Sequence, residues 1–247
     1  MFESKLRAFV SPGLIGLRRN IAPGLVLQSC ALLILLGYFF IPSFRATLDA
    51  IGVVKDRYGY LYSAVSTAIF GGVIPFVVLV LTRQVPKGRV WVGLVFYVGF
   101  WMWKGVEVDA LYRCQSLLFG NAATFTTVAA KACVDQFVYN PLWAGPTQVI
   151  FFLWKDADFS WNGLKRGFEQ ESLLHRVVVV LFSTWIVWLP AVSIVYSLPT
   201  GLQLPLSNLV LCFWCLLLSF ISRSGTTESE PAPAAQLQSP AAESELS

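Results

Sequence analysis

The sequence predicts an all-α fold: a polytopic membrane helix bundle of four to six transmembrane helices with a disordered C-terminal tail. Three observations predict it. Of 247 residues, 56% are hydrophobic and only 13% are charged, against about 25% charged in soluble domains. Mean hydropathy is +0.64. Six apolar runs recur along the chain, and after the last one comes a Pro-, Ala-, Ser- and Glu-rich segment with no apolar periodicity. The net charge of +4 is scattered between the runs, which argues against nucleic-acid binding and makes the basic residues topology signals instead.

Residues 1–24 form a basic amphipathic N-terminal segment, with Lys5, Arg7, Arg18 and Arg19 against the single acid Glu3. The transmembrane helical domain, 25–222, opens with the apolar run 25–41. No small-x-small cleavage site ends this run, so it reads as an uncleaved start-transfer helix, with an Arg-rich organellar presequence as the alternative. The second run, 60–82, is long enough for a bilayer of about 30 Å at about 1.5 Å per residue. Within it Ser63, Thr67, Gly71 and Pro75 recur every fourth residue, and Ala64, Ala68 and Gly72 do the same on the adjacent row. That small-residue face suits close helix packing better than a lipid or ligand groove.

The third run, 90–103, is too short to span alone and must continue into a charged stretch. There Lys104 and Glu107 are i,i+3 partners and Asp109 and Arg113 are i,i+4 partners. The two pairs point to nearly opposite sides of a helix, and Gln115 falls under Lys104. Charges at membrane depth are costly unless paired or wet, which makes these four functional candidates. The competing reading is a helix end whose long side chains snorkel to the headgroups.

The stretch 131–154 organises the chain. Lys131 and Asp135 are i,i+4, Gln136 follows, and Asn140-Pro141 should break or kink the helix because Pro141 lacks an amide hydrogen. Carbonyls freed at membrane depth must be met by neighbours or water. A kink lined by Gln136, Asn140 and Gln148 is therefore a candidate wet cavity, and a Pro-kinked packing helix with a polar cap is the alternative. Residues 155–176 hold four basic and four acidic residues and the only histidine, His175. Their centre reads as a short amphipathic interfacial segment anchored by Trp161 and Phe168. The last runs, 177–198 and 204–221, are joined by turn residues as an antiparallel hairpin, and 223–247 is the disordered tail.

Counting Lys and Arg with the N-terminus inside gives twelve inner against five outer residues, with Lys104 left in the membrane. Both termini are thus expected inside. The five cysteines, Cys30, Cys114, Cys133, Cys212 and Cys215, lie in or beside apolar runs. Neither a disulfide framework nor a zinc site is indicated. The lone His175 has no nucleophile set beside it, and paired carboxylates and metal ligands are missing. The sequence therefore predicts no enzyme, no catalytic residues, no metal and no cofactor.

Three elements between 131 and 219 resemble the family named for the Mpv-seventeen inner-mitochondrial protein and the twenty-two-kilodalton peroxisomal membrane protein. The first is Lys131, Asp135, Gln136 and Pro141. The second is the aromatic Trp-Pro helix with Trp185, Trp188, Pro190, Ala191 and Val192. The third is Pro199, then Trp214 and Ser219. Leu189 separates Trp188 from Pro190, Ile194 and Val195 stand in place of an Asn-Phe pair, Gln203 in place of an Arg, and Cys215 in place of an Asn. The chain resembles a divergent branch. The resemblance implies a compact membrane protein of four spans, in a family where some members pass small solutes and others serve membrane upkeep, with no cofactor and no enzymatic reaction.

The leading expectation is a channel or solute-permeable pore of that type, lined by Lys131, Asp135, Gln136 and Asn140 with help from Lys104, Glu107, Asp109 and Arg113. The alternative is a non-conducting membrane scaffold or interaction protein. The expected partner is the lipid bilayer, with a small solute and a second copy of the chain as candidates and no nucleic acid. The host is read as a bacterial cytoplasmic (inner) membrane, with a mitochondrial inner or peroxisomal membrane as the alternative.

Overall fold

The computed structural model describes residues 2–224, and of these the side chains of 20–182 and 184–217. The expected tail therefore lies outside the described residues from 225 on, as do the basic side chains of the N-terminal segment. Every described element is helical: α1 (Phe2–Phe40), α2 (Pro42–Tyr58), α3 (Tyr60–Thr67), α4 (Ile74–Leu81), α5 (Val90–Phe119), α6 (Phe125–Val134), α7 (Gly145–Asp156), α8 (Trp161–Gln170), α9 (Leu173–Tyr196) and α10 (Thr200–Ser224). Two π-helical segments, Ala68–Val73 and Asp135–Ala144, join α3 to α4 and α6 to α7.

Three stretches are long and apolar enough to cross a membrane: Asn20–Phe40, Tyr60–Leu81 and Thr200–Leu217. A fourth results if Leu173–Phe182 and Thr184–Tyr196, which meet at 61°, form one bent span. The upper count of six is therefore reduced to three or four. The run from 90 is a continuous helix of 30 residues, but the four charges in its second half dilute its apolar character. The run 137–154 is divided between a π-helical segment and the 12-residue α7. At the bend of α9, Thr184 Oγ1 donates back to the Val180 carbonyl at 2.8 Å, a contact that loosens and bends helices.

The chain forms two compact units. Among the described residues one comprises 22–134 and 187–219; the other comprises 2–21, 135–186 and 220–224. The first is built on the small-residue face of α3 and α4 against α5. Pro75 removes an amide from the helical ladder, and the π segment takes up the slack: the Ile74 amide reaches back five residues to the Ile69 carbonyl. Gly72 lies so close to α5 that a Cβ there would sit 3.1 Å from the Tyr97 carbonyl oxygen. At Gly105 a Cβ would collide with the Ser63 carbonyl. The small residues thus allow the backbones of α3 and α5 to approach. Gly59, with φ +53°, turns the chain between α2 and α3 in a conformation suited to glycine.

In the second unit Val149, Val177 and Leu181 form a core joined by Leu173 and Trp185. The chain leaves α7 through Asp158 and Phe159, both with positive φ, and Trp154 stacks on Trp161 at 5.7 Å. The expected amphipathic segment is the helix α8. Ser160 caps it, accepting from the Gly163 amide at 3.3 Å. Trp161, 68% exposed, projects from its first turn.

Candidate polar site in the α2–α3–α5–α10 unit

Asp109, on the α5 turn after Gly105, is fully buried and gathers groups from three helices. Lys55 Nζ of α2 lies 2.9 Å from Oδ1. Arg113 Nε, one turn along α5, lies 3.3 Å from Oδ2. Ser63 of α3 donates its hydroxyl to Oδ2 at 2.8 Å. The two cation contacts are charge contacts rather than aligned hydrogen bonds, since neither Oδ1 nor the Arg113 Nε has a well-directed partner. Lys55 is only 1% exposed, and Asp56, largely exposed, stands 3.8 Å from its ammonium. Arg113 is half in solvent-accessible space and lies 5.0 Å over the Tyr60 ring. The two acids, Asp109 and Asp56, balance the two cations, Lys55 and Arg113.

The i,i+4 pair expected on α5 is therefore present, and a third charge joins it. The other pair, Lys104 and Glu107, closes at 2.8 Å, with Lys104 Nζ 4.8 Å from the centroid of the Trp103 ring. Lys104 and Asp109 are buried and Glu107 nearly so, whereas Arg113 keeps 40% of its side chain exposed.

A polar seam continues from Ser63 along the same helices. Thr67 Oγ1 donates to Asn208 Oδ1 at 2.9 Å, and Asn208 Nδ2 donates to Ser66 Oγ at 3.0 Å. Tyr112 Oη donates to Ser207 Oγ at 3.1 Å. Ser116 and Thr200 hydroxyls meet at 3.3 Å, and Lys131 Nζ donates to Ser116 Oγ at 3.4 Å. Gln115 lies one helical turn beyond Tyr112 and donates to the Lys131 carbonyl at 3.3 Å. The hydroxyls and the Asn208 amide of the seam satisfy one another, as a low-dielectric interior requires, whereas the buried Gln115 Oε1 has no hydrogen-bond partner.

The stretch expected to line a pathway is divided between the units: Lys131 belongs to the first, and Asp135, Gln136, Asn140 and Pro141 to the second. In the second unit Pro141 does not break the helix. The π-helical segment Asp135–Ala144 absorbs it, because a widened turn accommodates a residue without an amide hydrogen. Gln136 Nε2 donates to Asp135 Oδ1 at 2.7 Å, and Asn140 Nδ2 reaches Gln136 Oε1 at 3.5 Å. Trp185 Nε1 donates to the Gln136 carbonyl at 3.3 Å, and its ring meets Phe137 edge-on at 5.2 Å. Two of the three elements of the family resemblance thus touch each other. Trp188 is half-buried and Pro190 exposed on α9, while Trp214 is buried on α10. All five cysteines are free thiols.

Sequence reasoning missed Lys55, Ser66 and Asn208. Lys55 is one of the five basic residues counted as outer. The apolar pattern of Pro42–Tyr58 does not mark it, since Ile51, Val53 and Val54 are exposed while Gly52 and Lys55 are the buried residues. Asn208 was legible as a lone amide inside an apolar run, which at membrane depth marks a helix contact. Among the described residues no group of three or more His, Cys, Asp or Glu could hold a metal ion. Set against known proteins, the chain matches no family model, no curated protein and no solved structure.

Proposed function

We propose that the chain is an integral membrane helix bundle that passes a small solute, of the Mpv-seventeen-like type suggested by its motifs, and that the polar seam around Asp109 is the pathway. One observation carries this reading. A buried carboxylate with two cations and a run of hydroxyls and amides lies inside a unit whose outward side chains are apolar, among them Leu33 at 67%, Leu61 at 64% and Trp91 at 78% exposed. A soluble protein distributes these groups the other way round. Ionisable groups inside a bilayer are expensive and by default mark substrate or ion pathways. The proposed host is a bacterial cytoplasmic membrane with both termini inside, and an organellar membrane is the alternative.

The test is solute release from liposomes that hold the purified chain. Wild-type protein should release a small entrapped solute faster than protein-free liposomes, and Asp109→Asn should change that rate or its charge preference. Release equal to that of empty liposomes for neutral, anionic and cationic solutes overturns the proposal. A second reading, a non-conducting scaffold, is favoured by the complete closure of Asp109 and Lys55. It predicts no release from any of these proteins.

A further inference from the structure

Lys131 is the one buried lysine of the Asp109-holding unit that its fold leaves without an acid. Lys55 has Asp109 and Lys104 has Glu107, each within 2.9 Å. Lys131 is 1% exposed, makes no ion pair among the described residues, and uses one of its three donors in a long 3.4 Å contact to Ser116 Oγ. An ammonium buried without a counter-charge is costly, and an external anion would offset that cost. Burial alone pushes the Lys131 ammonium down from its ordinary value, as expected where no carboxylate opposes desolvation.

Hydrogen-bond direction shows how an anion would be received. Lysine only donates, so Ser116 accepts from it and must turn its own proton to Thr200. Thr200 in turn donates to Asn121 Oδ1 at 3.0 Å. The chain of donors leads from the buried ammonium to Asn121, which is exposed beyond the end of α5. Both hydroxyls can rotate their protons onto an incoming oxygen, so one group placed beside Lys131 receives three donors from Lys131, Ser116 and Thr200. The start of α10 is not counted among them, because Asp56 is already there: a Cβ on Gly201 would lie 3.1 Å from Asp56 Oδ2.

We propose that Lys131, Ser116 and Thr200 form a site for a phosphate-class anion, entered past Asn121, whether the phosphate is free or belongs to a phospholipid headgroup. Three donors around a compact lysine charge suit a group with several acceptor oxygens. The site does not depend on solute conduction.

Thermal unfolding of the purified full chain in a neutral sugar detergent tests it. Inorganic phosphate is compared with chloride at equal ionic strength, and a short-chain phosphatidic acid with its neutral diacylglycerol. Wild type and Lys131→Arg should gain about 3 °C or more with saturating phosphate or phosphatidic acid. Lys131→Met should lose that gain, and Ser116→Ala with Thr200→Val should reduce it. A Lys131-dependent gain in one arm only names the source, free anion or lipid, and supports the site. No gain for wild type in either arm overturns the proposal, as does an equal gain for wild type and Lys131→Met. If Lys131→Met does not purify, the Ser116→Ala/Thr200→Val pair decides by the same criterion.

Discussion

Asp109 illustrates how much depends on a single buried carboxylate. Removing one partner of a buried ion pair leaves the other uncompensated, at a cost of about 3–5 kcal/mol. Asp109→Ala should therefore lower the melting temperature of the detergent-solubilised protein by roughly 10 °C. Exchanging Lys55 and Asp109 together, as Lys55→Met with Asp109→Leu, should restore most of it, since apolar replacements of a buried pair are often neutral. Thermal unfolding of the two variants side by side checks both outcomes. Gly105→Ala adds a test of the crossing that brings Ser63 onto Asp109. A methyl group facing the Ser63 carbonyl must separate α3 from α5, so this variant should lose as much stability as Asp109→Ala, whereas Gly99→Ala, with nothing within 4 Å, should lose little.

At the scale of elements, the α7–α8 corner carries a pH dependence. Asp156 pairs with Lys155 at 2.8 Å. Burial raises its carboxyl above the ordinary 3.8, and the Lys155 charge opposes that rise only in part. The folded state therefore holds this proton to higher pH than the unfolded chain does. Its contribution is fully present below 3.8 and is lost as pH rises through the raised folded value. Melting temperatures of the wild type measured against pH should fall as pH rises above 3.8, and Asp156→Asn should flatten that fall. The N-cap of α8 gives a second measurement: Ser160→Ala should cost about 1 kcal/mol, read as a small drop in melting temperature.

The elements also show what the sequence conveyed. The small-residue spacing from Ser63 to Pro75 encoded the α3–α5 packing directly, because glycine and alanine on one face have few uses other than close approach. The i,i+3 and i,i+4 charges on α5 were legible for the same reason, since helical spacing alone places them together. Lys55 was not legible as their partner: it is 54 residues from Asp109 in the chain, and only tertiary packing joins them. Pro141 was read as a break or kink because its missing amide is a local fact. The π-helical turn that accommodates it depends on neighbours that sequence periodicity does not report.

For the whole molecule, the distribution of lysine and arginine over six apolar runs predicts both termini on the inner side, which an even count of four spans keeps and a count of three does not. Reporter fusions after Arg223 and within 155–176 should both report the inside. Opposite reports would remove that orientation. A fusion near Lys55 is less informative than its charge suggests, because Lys55 is engaged by Asp109 rather than left to the headgroups.

The central claim is that the buried charges around Asp109 serve passage of a solute and are not only packing. Solute release from liposomes carrying Lys55→Met/Asp109→Leu, alongside its melting temperature, tests this most directly. A melting temperature near wild type, with release reduced to that of protein-free liposomes, is the expected result. Wild-type release from a protein that melts like the wild type would contradict it.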